Sequence, residues 1–139
     1  MASVERLKER AGIEACHFVS DGMALGLGTG STVRYSIIEI ARMIEQDGID
    51  VIGVPTSEDT RKLAEKLGIP LLPMEQAGTL DLTIDGADEF DNNFDLIKGG
   101  GGALTREKIV ALASKSMVVV ADQSKQVETL GEFDLPVEV

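Results

Sequence analysis

The chain has 139 residues, of which 43% are hydrophobic and 27% charged, and its formal net charge is -11. This size and composition are typical of one globular domain with a modest hydrophobic core. The negative charge argues against nucleic acids and anionic membranes as partners, because both bind through clustered Lys and Arg. No window approaches about 18 consecutive apolar residues, so the sequence predicts no membrane-spanning helix.

The only cysteine and the only histidine are neighbours, Cys16 and His17. A single cysteine excludes an internal disulfide and favours a reducing, cytoplasmic location. Adjacent positions of a helix point in different directions, so the two side chains are poorly placed to act together. We therefore predict a structural role for both.

The apolar pattern predicts alternating helices and strands in the first half of the chain. A helical period covers residues 4–18, and turn residues at 20–22 end it. A short buried strand at 23–27 leads into a glycine-rich turn, and a second helix covers 33–44. A strand at 50–54 precedes a helix that Thr56 or Ser57 can cap and that ends at Gly68.

The second half continues this alternation. We predict strands at 81–84 and 116–121, a short extended piece at 94–97, and a helix at 103–113 with Leu104, Ile109 and Leu112 on its apolar face. Short strands alternating with helices indicate an α/β fold, a Rossmann-like, mostly parallel sheet with helices on both faces. Ligands of such folds bind beyond the carboxyl ends of the strands.

Four consecutive glycines, residues 99–102, lie between Lys98 and the last predicted helix. In a regular element each glycine costs about 0.5–1 kcal/mol relative to alanine, and close approach of a ligand to the backbone is one explanation for the run. Glu107 lies in an early turn of the helix, beside free amides. These residue types suit a base that removes a proton while N–H groups and a lysine stabilise the resulting anion. A flexible hinge followed by a surface helix is the alternative.

The segment GLGTGST, residues 26–32, fails both common nucleotide-binding patterns. Ser31 occupies the position where G-x-G-x-x-G needs glycine, and the Gly-Lys-Ser/Thr ending of a P-loop is absent. Hydroxyls and amides at the start of a helix suit a single phosphate or a polar sugar. The alternative is a tight turn in which Ser31 or Thr32 caps the helix.

Two carboxylates, Asp85 and Asp88, follow a predicted strand in the segment DGADEF. They are suited to accept hydrogen bonds from sugar hydroxyls, and one of them to pass protons between oxygens. A calcium loop from Asp91 is the rival, but Leu96 and Gly102 stand where that loop needs glycine and glutamate. With one histidine a transition-metal cluster is not expected either, so we predict no metal and a solvated turn at 91–95.

Lys125 lies a few residues past the last predicted strand. At most positions a loop lysine is only a solvated charge. At the carboxyl edge of the sheet, together with the other polar segments, it can contact a phosphate or another substrate oxygen.

Four segments resemble the type A family of ribose-5-phosphate isomerases: GLGTGST at 26–32, DGADE at 85–89, KGGGGALTREK at 98–108 and ADQSK at 121–125. Their order and spacing match as well, and the similarity covers nearly the whole chain. The resemblance implies interconversion of ribose 5-phosphate and ribulose 5-phosphate through a cis-enediol, in the pentose phosphate pathway. It also implies that neither a metal nor an organic cofactor is needed.

The resemblance assigns roles to individual residues. Glu107 would take the proton from C2 of the opened aldose and return it to C1. Lys98 would stabilise the enediolate oxygen. Asp85 and Asp88 would hold the sugar and assist ring opening and proton movement between O1 and O2. The expected substrate-binding residues are Thr29, Gly30, Ser31, Thr32, Asp85, Gly86, Ala87, Asp88, Lys98, Gly99, Gly100, Gly101, Lys125 and Lys8.

Members of this family are longer than the present chain. We expect residues 1–135 to form the Rossmann-like catalytic domain and residues 136–139 to begin a second, small α+β domain. The resemblance implies a homodimer or homotetramer for the full-length protein. A non-catalytic sugar-phosphate sensor of the same fold superfamily is the alternative function, although it could dispense with Glu107 and Lys98. A nucleotide-binding enzyme is a third hypothesis, weakened by the two failed patterns.

Overall fold

The structure, a computed structural model, describes residues 3–137 and has an α/β architecture. Its α-helices are α1 (Val4–Ala15), α2 (Val33–Arg42), α3 (Glu58–Lys66), α4 (Met74–Ala77) and α5 (Leu104–Leu112). Its strands are β1 (Ala24–Leu27), β2 (Ile52–Pro55), β3 (Leu82–Gly86), β4 (Glu89–Phe90), β5 (Leu96–Ile97) and β6 (Met117–Val120). A π-helical turn (Met43–Asp47) extends α2, and 3-10 turns cover Cys16–Phe18 and Gln123–Lys125.

Four parallel strands form the main sheet in the order β2-β1-β3-β6. Leu25 of β1 pairs with Gly53 of β2 and with Leu82 of β3, and Thr83 of β3 pairs with Met117 of β6. Strands β4 and β5 form a separate antiparallel pair. The predicted parallel α/β sheet is confirmed. Because β2 and β3 lie on opposite sides of β1, the strand order reverses between β1 and β3, which is where such sheets bind ligands.

Helices cover both faces of the sheet, and each face has its own apolar cluster. On one face Leu27 and Ile84 pack with Ile37 of α2 and with residues of α1 and α3. On the other face Val54 packs with Val110 of α5 and with residues of α4. Burial of one such side chain contributes about 1.5–3 kcal/mol, so the two clusters fix the helices against the sheet.

The first helix is shorter than its apolar pattern predicts. α1 ends at Ala15, and the 3-10 turn that follows leaves Phe18 exposed. Cys16 packs in the core, where burial raises the pKa of its thiol to about 12. His17 points to solvent, 3.2 Å from a carboxylate oxygen of Glu14. The burial of Cys16 in the core agrees with the structural role predicted for it.

Helix α5 differs most from its predicted pattern. Ile109 and Leu112, predicted to lie on its apolar face, are 50% and 77% exposed. The buried residues of the helix are Glu107 and Val110. The prediction of that face was wrong because it placed hydrophobic residues inward, whereas the helix buries a carboxylate. Burying a carboxylate is costly unless it is paired, so its position points to a function.

The segment between β4 and β5 forms a turn. The sequence predicts an extended piece from residue 94. Phe94 is exposed and has a left-handed backbone with φ of 62°, and β5 begins only at Leu96. The Asp91 carboxylate accepts hydrogen bonds from the amides of Asn93 and Asp95. The predicted solvated turn at 91–95 is therefore confirmed, and the predicted strand from residue 94 is too long.

Residues beyond β6 leave the sheet and run along the β4–β5 pair. Val127 N donates a hydrogen bond to Phe90 O at 2.9 Å. The predicted second domain at 136–139 falls partly on residues 138–139, which lie outside the described residues, and its existence stays a prediction. Within residues 3–137, no helix is both long and apolar enough to cross a membrane.

Candidate active site

The glycine-rich turn after β1 meets the end of β3 where the strand order reverses. Gly28 N donates to Ile84 O at 2.8 Å, and Thr29 N donates to Asp85 Oδ1 at 3.1 Å. A Cβ at Gly28 would clash with Asp85 Oδ1 and lie 2.5 Å from Ile84 O. Only glycine lets the backbone at residue 28 lie this close to β3. Gly28 therefore allows the amide of Thr29 to reach the Asp85 carboxylate.

Asp85 is 1% exposed, and backbone amides fix its carboxylate. Oδ1 accepts hydrogen bonds from Thr29 N and, at 2.8 Å, from Gly86 N. Oδ2 accepts no hydrogen bond from any described residue, but it lies 3.3 Å from Lys98 Nζ. The contact with Lys98 is therefore an ion pair, and it supplies the charge compensation that so buried a carboxylate requires.

Lys98 lies between two buried carboxylates. Its Nζ is 3.0 Å from Glu107 Oε1 and 3.3 Å from Asp85 Oδ2, and it also donates to Gly86 O. The Glu107 side chain is 6% exposed. Burial raises the pKa of Glu107, the neighbouring charge of Asp85 raises it further, and Lys98 opposes both effects. A carboxyl group with a raised pKa beside a fixed ammonium group has the properties of a general base.

The glycine run forms a hydrogen-bonded turn at the start of α5. Gly99 and Gly102 have φ of 97° and 80°, and Gly102 N donates to Gly99 O at 3.0 Å. Gly100 N donates to Asp88 Oδ2 at 2.7 Å. Because Glu107 faces the sheet and not the solvent, the alternative of a hinge followed by a surface helix does not describe this region.

An open cavity of about 110 Å³ lies at this end of the sheet. Most of the predicted substrate-binding residues line it, namely Thr29, Gly30, Ser31, Thr32, Gly86, Ala87, Asp88, Gly99, Gly100, Gly101 and Lys125, together with Glu107. Asp85 and Lys98 do not line the cavity but lie behind Glu107, within the ion-pair cluster. The wall also includes three residues that the sequence analysis missed, Val33, Val120 and Ala121.

Lys8 does not line this cavity, and its Nζ lies 3.6 Å from Glu5 Oε1. It is nevertheless close enough to act on Asp122, which follows β6 and is buried. Burial by itself would raise the pKa of Asp122, but hydrogen bonds from Ser124 and the charges of Lys8 and Lys125 hold it below its usual range. Lys8 therefore adds positive charge near the cavity without forming its wall.

A network of hydroxyl groups beneath the turn was also missed. Thr29 Oγ1 is 2.8 Å from Thr56 Oγ1 and 2.9 Å from Ser57 Oγ. Thr56 and Thr60 donate their hydroxyl protons to backbone carbonyls, and Ser57 donates its proton to Thr60. Because Thr56 and Ser57 use their own protons elsewhere, Thr29 is the donor, and it shares its single proton between the two oxygens. In sequence Thr56 and Ser57 resembled only helix caps, a role that Ser57 does have.

A larger groove of about 640 Å³ lies on the outer side of α5. Arg61 of this groove is paired with two other lining residues, 2.8 Å from Glu58 and 2.7 Å from Glu65. Neither Asp85 nor Glu107 lines it. The smaller cavity is therefore the candidate active site.

Fold and site together define a class of protein: an α/β protein with a buried cluster of two carboxylates and a lysine where its strand order reverses. Residues 52–139 match the family of ribose 5-phosphate isomerase A (phosphoriboisomerase A). The chain belongs to the ribose 5-phosphate isomerase A family.

Individual relatives agree with this assignment. A ribose-5-phosphate isomerase A from Ruegeria sp. (strain TM1040) is 52% identical over 139 residues, which are 100% of this chain and 53% of the relative. The structure of ribose 5-phosphate isomerase A from Methanocaldococcus jannaschii has a TM-score of 0.89 and 44% identity, covering 94% of this chain and 58% of that one. A D-ribose-5-phosphate isomerase in complex with phospho-erythronic acid has a TM-score of 0.90 and 41% identity, covering 93% and 57%. The chain thus spans little more than half the length of these relatives.

Proposed function

We propose that this chain carries the catalytic groups of an aldose–ketose isomerase that interconverts D-ribose 5-phosphate and D-ribulose 5-phosphate. The observation that carries the proposal is the buried Glu107, 3.0 Å from Lys98, at the wall of a polar cavity. The names of the relatives supply the substrate. The reaction belongs to the non-oxidative branch of the pentose phosphate pathway.

In the proposed mechanism Glu107 is the base. Its carboxylate takes the hydrogen of C2 as a proton, the C–H electron pair forms a C1–C2 double bond, and the carbonyl electrons move to O1. The resulting cis-enediolate is protonated at C1 by Glu107, while the proton of the O2 hydroxyl passes to O1. All atoms balance, and no oxidant or reductant takes part.

Lys98 offsets the negative charge as it moves. Its Nζ donates to Gly86 O and lies within ion-pair distance of the carboxylates of Asp85 and Glu107. Once Glu107 accepts a proton it loses its charge, so the ammonium group is released toward the new anion at O1. Amides of the glycine run, residues 99–101, line the same cavity and can donate to that oxygen. A relative binds phospho-erythronic acid, an anionic sugar acid with the charge that the enediolate would have.

We assign roles to the other predicted site residues from their positions relative to the cavity. Asp88 lines the cavity and is suited to hold sugar hydroxyls and to move a proton between O1 and O2. Asp85 acts through Lys98, with which it is paired. The amides at the start of α2, together with Lys125, are suited to bind the phosphate, and the charge of Lys8 adds to the attraction.

The proposal is tested by incubating the full-length protein with ribose 5-phosphate in D₂O. We expect ribulose 5-phosphate to form and deuterium to enter the carbon positions C1 and C2, because the proton on Glu107 exchanges with solvent. Unphosphorylated ribose serves as the control and should react far more slowly. Binding without turnover would favour the sensor alternative, and sugar that stays free of carbon-bound deuterium after many forward and reverse turnovers would contradict the enediolate route.

The pH profile of kcat/KM tests the identity of the base. The base must be ionised, and the pKa of Glu107 is raised, so the acidic limb should lie above the usual range of glutamate. Removing the charge of Asp85 with Asp85→Asn should move that limb to lower pH, whereas Lys98→Met should move it to higher pH. Glu132→Gln, at an exposed position, is the control and should leave the limb in place. Shifts of equal sign in the two test variants would contradict the assignment.

The proposal extends to the whole protein. It includes a second small domain that begins at 136–139, a homodimer or homotetramer, and a cytoplasmic location, which the single Cys16 supports. Light scattering of the full-length protein measures the oligomeric state, and a monomer would contradict that part of the proposal.

A further inference from the structure

Glu89 is a buried carboxylate that the proposed reaction does not use. It is 4% exposed and directly follows Asp88 at the start of β4. Its Oε1 accepts a hydrogen bond from Gly131 N at 2.9 Å, and its Oε2 accepts one from Phe133 N at 3.1 Å. Both oxygens are therefore engaged by a segment that lies more than 40 residues further along the chain.

That segment, residues 126–133, is here called the strap. It begins next to Lys125, at the cavity, and runs beside β4, where Val127 N donates to Phe90 O at 2.9 Å. Most of its residues are exposed. The two hydrogen bonds to Glu89 hold its far end, since a carboxylate can accept from two amides at once.

The far end of the strap touches the glycine run. A Cβ at Gly100 would lie 2.7 Å from Cζ of Phe133, so the ring packs directly on the Gly100 backbone. Gly100 N in turn donates to Asp88 Oδ2 at 2.7 Å. The backbone at residue 100 thus contacts both the ring of Phe133 and the carboxylate of Asp88.

We propose that Glu89 is a positioning residue for the glycine run. By holding the amides of Gly131 and Phe133 it fixes the phenyl ring on Gly100, and the ring fixes the peptides that line the cavity. The effect on turnover rests on the function proposed above, whereas the effect on the order of the glycine run does not.

The positioning role requires a carboxylate at residue 89, because two acceptor oxygens are needed for the two amides. Glutamine at this position has the same size but one acceptor oxygen, and its NH₂ group would face a backbone N–H. One of the two amides would then lose its partner inside the protein. The strap should detach from residue 89, and the ring should leave Gly100.

The test compares Glu89→Gln with Glu132→Gln in the full-length protein. Both remove one negative charge, but Glu132 is exposed on the strap. Amide hydrogen exchange should become about tenfold faster or more at 99–102 in Glu89→Gln and stay unchanged in Glu132→Gln. In the isomerase assay kcat should fall about tenfold or more, because the oxyanion donors lose their alignment, with a smaller change in KM.

A second variant, Phe133→Ala, keeps the backbone amide that Glu89 binds but removes the ring. Exchange at 99–102 should rise, while exchange at 131–133 should stay slow. The proposal is overturned if either Glu89→Gln or Phe133→Ala leaves exchange at 99–102 unchanged. If Glu89→Gln does not fold, Phe133→Ala decides alone. If the wild-type protein does not isomerise ribose 5-phosphate, the proposed function fails, while the exchange comparison still decides the role of Glu89.

Discussion

Glu107→Gln is expected to lower kcat for ribose 5-phosphate by about 10²–10⁴-fold while KM changes little. The carboxamide has nearly the shape of the carboxyl group and can still accept from Lys98, but it cannot take a proton from carbon. Initial rates give kcat and KM, and Glu14→Gln, at an exposed position, is the control. Turnover at the wild-type rate would remove Glu107 from the mechanism.

The same substitution should change the pH dependence of stability. The pKa of Glu107 is raised in the folded protein, chiefly by burial. The folded state therefore binds this proton more tightly than the unfolded state, and ionisation destabilises the fold as pH rises through the raised pKa. Glutamine removes that penalty, so Tm of the variant relative to wild type should improve between acid and neutral pH. Thermal melts at both pH values measure this difference, and a variant whose Tm relative to wild type falls from acid to neutral pH would contradict the argument.

Gly28→Ala is expected to lower the free energy of unfolding by about 1–3 kcal/mol and to impair activity as well. The new Cβ would lie 2.5 Å from Ile84 O and would clash with Asp85. The turn cannot move away without breaking the bond from Gly28 N to Ile84 O. A displaced turn would also withdraw Thr29 N from the Asp85 carboxylate.

Denaturant unfolding measures this loss. Gly101→Ala is the matched control, because its Cβ would meet only Thr29 Cγ2 at 3.8 Å, an ordinary contact. Its free energy of unfolding should be close to that of the wild type. Equal stability of Gly28→Ala and Gly101→Ala would show that the backbone at residue 28 is farther from Ile84 and Asp85 than described.

The sheet could be predicted because buried parallel strands are continuous apolar runs that turn residues interrupt. The segment at 24–27 is an example, because most of its residues are buried and its observed bounds lie within those predicted. The face of α5 could not be predicted in this way. Periodicity places Ile109 and Leu112 inside, and only the cation of Lys98 explains why Glu107 is there instead.

The polar segments could be assigned to one edge of the sheet because parallel strands end at the same edge. The contacts among these polar segments could not be predicted, because they depend on how segments far apart in the sequence pack together. The ion pairs of Lys98 depend on the β4–β5 pair and on the glycine turn, which together set its distance from Asp85 and Glu107. The contacts of Glu89 with the strap leave no periodic signal in the sequence.

The hydroxyl network under the glycine-rich turn bears on selectivity between sugars. Thr29 lines the cavity and uses its only hydroxyl proton within this network, so a ligand that reaches its oxygen would find only lone pairs. Lone pairs attract the O–H of a sugar but repel phosphate oxygens, which need donors. A deoxy sugar that lacks the hydroxyl bound by Thr29 would leave this oxygen without a hydrogen-bond donor. Sites with such an unpaired buried group bind the deoxy analogue much more weakly.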